Sequence, residues 1–205
     1  MKETNTETST EIIRCGWLNQ DPIYIAYHDE EWGKPQHDEI KLFEMLCLEG
    51  QQAGLSWITV LKKRDHYRNL YFNFNPIKIA KLGASDVETY LKDPGIVRHK
   101  GKIESIINNA KCFLKLEAEG DNFSEFIWSF VDHKQIVNNW STHKEIPTET
   151  ANSKAMSKAL KAKGFKFIGS TICYAFMQAC GLVDDHIINC VSRKNNKYES
   201  KVVLF

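Results

Sequence analysis

Apolar positions recur at helical spacing along most of this chain, and strand-like alternation never persists. From Asp38 onward, Ile40, Leu42, Phe43, Leu46 and Cys47 share one face of a helix that the pattern carries to about Gln52. Trp57, Val60, Leu61, Tyr67, Leu70 and Tyr71 predict a second helix, with Lys62, Lys63 and Arg64 on its outer side. Asn75-Pro76 opens a short third, since proline suits a first helical turn. Ser85 to Glu88 has capping-box spacing and opens a fourth, which Asp93-Pro94-Gly95 ends. Ile103, Ile106, Ile107, Ala110, Phe113 and Leu114 mark an amphipathic helix from Lys100 to about Glu117. Phe123 to Phe130 predicts a short aromatic helix, and the polar stretch 132–148, with Pro147, a surface connection. Ala155, Met156, Ala159 and Leu160 line one face of a helix over 151–163. The expected fold class is all-α, with about nine helices.

The first residues, Met1 to Thr10, are polar, and no run approaches the roughly 18 apolar residues of a membrane span. A cytoplasmic protein with a frayed N-terminus is expected. Its 205 residues suffice to bury a core without staples, and a net charge of +1 offers no global basic field for nucleic acid. Any such partner must be met locally. Six cysteines in a reducing compartment need no disulfides. Cys47, Cys112, Cys173 and Cys180 lie within helical apolar patterns and read as small buried hydrophobes. Cys15 and Cys190 lie in polar, turn-like sequence near opposite ends.

Three stretches carry residue types that packing alone does not request. Glu49-Gly-Gln-Gln-Ala-Gly-Leu-Ser-Trp57 joins a carboxylate, two amides and an indole at a glycine-bearing helix junction, either a pocket wall or an ordinary corner. Trp17, Tyr24, Tyr27 and Trp32 form an aromatic cluster with polar tips, a better pocket candidate together than singly. Gly164 to Gly169, followed by Ser170-Thr171, reads as helix, hairpin, helix. Exposed N–H groups at such a turn can hold a phosphate, with Lys163, Lys166 and the Arg98 to Lys102 segment adding charge, or the turn is only a connection. A final helix is expected from about Gly181, placing His186 and Cys190 four apart on one face. With Cys15 and His28 they compose a Cys2His2 set suited to tetrahedral zinc, although the spacing matches no common zinc finger.

Taken together, Arg14 to Trp17, Asp21-Pro22 to Tyr24, Tyr27-His28, Glu49 to Trp57, Gly164 to Gly169 and Asp185-His186 with Cys190 closely resemble the 3-methyladenine DNA glycosylase I family. The likeness runs from about Arg14 to Cys190. It implies a two-lobed fold of the helix-hairpin-helix glycosylase superfamily: one domain over 13–192 with the active-site cleft between its lobes, and tails at 1–12 and 193–205. It also implies a structural zinc on Cys15, His28, His186 and Cys190. The damaged base would sit among Trp17, Tyr24, Tyr27, Glu49 and Trp57, with Leu55 entering the gap left in the duplex. Gly164, Lys166, Gly169 and Ser170 would meet the DNA backbone.

The activity so implied is hydrolysis of the bond joining 3-methyladenine to deoxyribose in alkylated double-stranded DNA, by a monomer near the nucleoid, without lyase chemistry and with free base as product. Extruding a base costs about a few kcal/mol, less when it is damaged. A cationic base gains of order 0.5 to 2 kcal/mol from each aromatic face, which a neutral base does not. Glu49 would accept a hydrogen bond from the exocyclic amine, and a guanine carbonyl there could not supply one. Asp184 stands where the wider superfamily carries a catalytic aspartate and this family commonly has asparagine. It is either a helix N-cap or a stabiliser of the oxocarbenium-like sugar. A non-catalytic DNA-binding module or a zinc-organised protein for another small aromatic ligand would share the hairpin or the zinc, but a pure backbone binder has no use for Glu49.

Overall fold

The computed structural model describes residues 12–193. The expected tails lie almost entirely outside the described residues. Ten α-helices run through them: α1 (Pro22–Glu30), α2 (Glu39–Gln52), α3 (Trp57–Leu61), α4 (Arg64–Leu70), α5 (Pro76–Ile79), α6 (Ala84–Tyr90), α7 (Lys100–Ala118), α8 (Phe123–Trp128), α9 (Ala151–Ala162) and α10 (Ser170–Ala179). Among the described residues no helix is long and apolar enough to cross a membrane.

Local chemistry sets most of the starts. Asp21 accepts from the N–H of Ile23 ahead of Pro22, Asp38 from Lys41 (2.9 Å) and Asn75 from Lys78 (3.0 Å). Thr150 and Ser153 cap one another at the head of α9. The fourth expected helix begins earlier than its spacing suggested: Asp86 accepts from the N–H of Gly83 (2.8 Å), so Gly83 rather than Ser85 precedes α6. The second expected helix is two. It breaks at Lys62-Lys63, and Arg64, expected outside, turns inward to grip Glu31 with two hydrogen bonds (2.6 and 2.7 Å).

α2 is the central element. It packs against α3, α7, α8 and α10, and every residue from Leu42 to Gln51 is buried. That explains why Glu44 and Glu49 sit inside the protein: a helix surrounded on all sides buries its polar residues too, and each must then be paired or used. Glu44 is paired with Arg68 at 2.8 Å.

Two expectations fail at the C-terminal end. The connection is not purely irregular, because β1 (Ile136–Val137) pairs in parallel with β2 (Val183–Asp184). The expected helix carrying His186 and Cys190 does not form: residues 185–187 have no regular structure and Ile188-Asn189 make a turn. The N–H of Ile188 instead donates to the carbonyl of Trp140, and Asp185 is held by four side-chain donors. These tertiary bonds outweigh the local helical option. Asp184 therefore caps no helix.

The same end is locked to the N-terminal segment. The N–H groups of Gly33 and Gln36 donate to the carbonyls of Gln178 and Cys180, closing the last turn of α10. Gly181 has φ +67, and a Cβ there would lie 2.2 Å from the carbonyl carbon of Lys34. Only glycine fits this crossing.

Candidate functional site

A cavity of about 210 Å³ opens where α1, α2, α3 and α10 converge. Its walls include Trp17, Tyr24, Tyr27, Glu49 and Trp57, so the structure brings together all five residues named for the base. Trp32, Gln52, His143, Ala175 and Gln178 complete it. Tyr27 and Trp57 face each other with ring centroids 5.4 Å apart, and Trp17 lies 5.0 Å from Tyr24 and 5.1 Å from Trp32. A wider groove of about 400 Å³ beside α4 is lined by Arg64 and Arg68, which Glu31 and Glu44 already hold. The smaller cavity is the one with aromatic faces and an uncommitted carboxyl.

That carboxyl is Glu49, only 4% exposed. Burial pushes its pKa up to about 8, and neither a hydrogen bond nor a counter-charge opposes the effect. Burial and the nearby Glu49 also raise the hydroxyls of Tyr24 and Tyr27, keeping both neutral. A cation entering between these rings would meet the aromatic faces and convert Glu49 to its carboxylate.

The turn after α2 is clamped from below. Lys102, 5% exposed, donates to the carbonyls of Gln51 (2.8 Å) and Ala53 (2.6 Å), and the Gln51 amide donates back to the carbonyl of Lys102 (3.0 Å). A buried ammonium on the last carbonyls of a helix satisfies groups that otherwise lack partners. Gly54, with φ +77, turns the chain, and Leu55 stands out beyond it, 41% exposed. An apolar side chain is thus presented on a fixed turn at the cavity's edge. Lys102, read from sequence as part of a basic segment for phosphate, is instead buried and spent on the carbonyls of Gln51 and Ala53, and Gln178 was not singled out because it sits in an ordinary helical pattern.

Across α2, the hairpin between α9 and α10 takes the form its glycines predict. Gly164 has φ +91 just past α9, and Gly169 is the residue before α10. Asn109 on α7 donates to the carbonyl of Lys166 (3.1 Å) and accepts from its N–H (2.8 Å), and Asn108 donates to the carbonyl of Gly164 (2.9 Å). These bonds fix the backbone of the loop. Lys166 is exposed, and the α10 N-terminus at Ser170 carries no side-chain cap on its N–H groups. The hydroxyl of Ser170 donates to Glu149.

The chain ends meet at a cysteine and histidine cluster. Ligand atoms of Cys15, His28 and Cys190 lie within 4.8 Å of one another, with Cys190 Sγ 3.4 Å from His28 Nε2. The hydrogen bond between Cys15 and Cys190 holds the Cys190 thiol below its ordinary value, and the same bond, with burial, raises Cys15. His186, the fourth residue named, packs edge-on to His28 at 4.9 Å between centroids. Its Nδ1 contacts Asp184 Oδ1 (2.7 Å), while its Nε2 is buried with no partner. His28 Nδ1 likewise contacts Asp29 Oδ1 (2.7 Å). In both histidines the carboxylate fixes the proton on Nδ1 and leaves Nε2 as the electron-pair donor. Two thiols and two such imidazoles form a soft donor set suited to a tetrahedral ion, and the orphaned Nε2 is the group a metal would satisfy. The residues fit zinc. Trp17 and Trp32 lie against His28 (5.3 and 6.1 Å), so the cluster and the cavity share a wall.

A buried carboxyl in a box of aromatic faces is suited to enclose a flat, cationic ligand. The sequence pattern of the methyladenine glycosylase family matches residues 17–194, and the chain belongs to that family. It is 59% identical over 184 residues to DNA-3-methyladenine glycosylase 1 of Escherichia coli (strain K12), covering 90% of this chain and 98% of that protein. A crystal structure of 3-methyladenine DNA glycosylase I superimposes with a TM-score of 0.87 at 57% identity, over 87% of this chain and 98% of the other. The Staphylococcus aureus 3-methyladenine DNA glycosylase I, solved to show how it recognises 3-methyladenine, gives 0.84 at 39% identity, over 87% and 95%.

The Glu49 carboxyl makes stability depend on pH. Its folded pKa of about 8 lies above the ordinary carboxyl value, so its neutral form is favoured on folding. The associated stability is complete below about pH 4 and is lost as pH rises toward 8. Glu49→Gln removes that loss. The variant should melt several degrees above the parent at pH 8.5, with the gap closing by pH 5. Parallel melting curves across this range would show a solvated carboxyl.

Proposed function

We infer that this chain is an N-glycosyl hydrolase that removes 3-methyladenine from alkylated double-stranded DNA. The observation that carries the reading is the buried Glu49 carboxyl, unopposed in an aromatic cavity, in a member of this family. Acting on the duplex as a monomer in the cytoplasm, at the nucleoid, is part of the same reading.

The hairpin supplies the hold on DNA. N–H groups at Gly169 and Ser170 donate to a backbone phosphate, with Gly164 allowing close approach and Lys166 adding charge. Leu55 fills the space the extruded base leaves, which lowers the cost of keeping the duplex open. The two-lobed division of residues 13–192, with the cleft at the cavity mouth, suits this geometry. Trp17, Tyr24, Tyr27 and Trp57 surround the extruded base, and its positive charge is favoured by their faces and by Glu49, which accepts from the exocyclic amine.

The positive charge also makes the base a good leaving group. As the bond between the sugar carbon and the base nitrogen breaks, its electron pair returns to the base, which departs neutral. Water then bonds to the sugar carbon and gives up a proton. The lining residues include no lysine, consistent with hydrolysis rather than Schiff-base chemistry. A DNA-binding module without catalysis is not favoured, because a buried carboxyl serves no purpose toward anionic DNA.

Zinc bound by Cys15, His28, His186 and Cys190 would supply a structural cross-link, with all four positions taken by protein. Asp184 is then a positioning residue that orients His186, since its carboxylate is 1% exposed, contacts His186 and does not line the cavity.

Incubation of the purified protein with methylated duplex DNA should release 3-methyladenine, identified by mass, and Glu49→Gln should slow release by about 10- to 100-fold. Intact DNA binding without base release would overturn the enzymatic reading. Elemental analysis should find one zinc per chain, and Asp184→Asn should weaken its retention by about 10- to 100-fold while the zinc-loaded variant still excises at near parental rate. Full zinc retention with severely slowed excision would place Asp184 on the sugar instead.

A further inference from the structure

Asp185 is fully buried and accepts four hydrogen bonds: Asn138 (2.6 Å) and Trp140 (2.7 Å) on Oδ1, Tyr174 (2.6 Å) and Gln178 (2.8 Å) on Oδ2. A carboxylate only accepts, so Gln178 must turn its amide nitrogen toward Asp185. Its carbonyl oxygen is then the free end of a side chain that lines the cavity, and that oxygen is not among the buried polar atoms left without a partner. It opens onto accessible space. Glu49 lines the same cavity from α2. We propose that Gln178 is a second reader of the base, its carbonyl oxygen held into the cavity by Asp185 to accept from the exocyclic amine alongside Glu49.

The inference rests on the assignment of 3-methyladenine as substrate. An adenine amine carries two hydrogens and can serve two acceptors. A guanine carbonyl at that edge would meet two acceptors and satisfy neither, and unmet buried polar groups are how such sites reject a near-isostere. An amide is symmetric in shape, so Gln178 alone could reverse and donate to a guanine carbonyl. Asp185 forbids the reversal. Selectivity is thus set one residue behind the cavity, by a group that never touches the base.

Asp185→Asn tests this. The introduced amide keeps an oxygen for Asn138 and Trp140 but places its nitrogen toward Gln178. Gln178 must then turn its carbonyl toward that nitrogen and its own nitrogen into the cavity. With DNA carrying both lesions, the ratio of 3-methylguanine to 3-methyladenine released should rise about tenfold or more over the parent. Gln178→Met, which keeps the volume, should slow 3-methyladenine release by about tenfold in protein that is still fully folded at the assay temperature. An unchanged ratio in folded Asp185→Asn, or an unchanged 3-methyladenine rate in Gln178→Met, overturns the proposal; should Asp185→Asn fail to fold, the Gln178→Met rate decides alone. If the parent releases no 3-methyladenine, the functional reading itself fails, and the two failures are separable.

Discussion

A carboxyl group held out of water without a partner is the constraint around which this protein is arranged. Burying an ionised carboxylate alone is far too costly, so Glu49 is kept neutral until something positive arrives. The central helix puts it there: α2 is buried on all sides, and Gly50 lets the hairpin residue Phe167 pack against its backbone. Lys102 fixes the end of the same helix from the opposite side. The carboxyl, the exposed Leu55 and the Trp57 wall are therefore carried on one braced segment, which under the proposed function would couple recognition to opening of the duplex.

The second organising region joins the chain ends. Cys15, His28 and Cys190 meet behind Trp17 and Trp32, with His186 packed edge-on to His28 and Trp32, and Asp185 gathers donors from the connection and from α10. Both sets fix side chains lining the cavity by holding what lies behind them. A small cavity can thus present rigid aromatic faces although Trp17, Trp32 and His143 in its wall come from outside the α-helices. Three carboxylates in this region do different work: Asp29 and Asp184 orient histidines, and Asp185 orients an amide.

Local signals in the sequence located helices well where the start was explicit, as at Asp38 and Asn75-Pro76, but α1, capped by Asp21, was not read as a helix. They failed where tertiary bonds outweighed local preference. Residues 185–190 read as helix, but the bonds to Asp185 and the ladder between β1 and β2 keep them out of a helix. Arg64 read as solvated, but Glu31 draws it inward. The aromatic and carboxyl members of the cavity were legible because several unusual residues lie close together in sequence. Gln178 and His143 were not, since each comes from a distant element whose own pattern is ordinary. The cysteine and histidine set was read from a helical His186–Cys190 spacing that the structure does not keep and from the family resemblance; its geometry depends on the chain ends meeting, as where the N–H of Val191 donates to the carbonyl of Ile13.

The most direct test of the central claim is an NMR titration of the Glu49 side-chain carboxyl, alone and with the cation of 3-methyladenine capped by methyl at N9. The free protein should titrate near pH 8, and the midpoint should fall on binding, because the cation favours the carboxylate. A free-protein midpoint near pH 4, unmoved by the cation, would contradict the account: the carboxyl would be solvated and would not read charge.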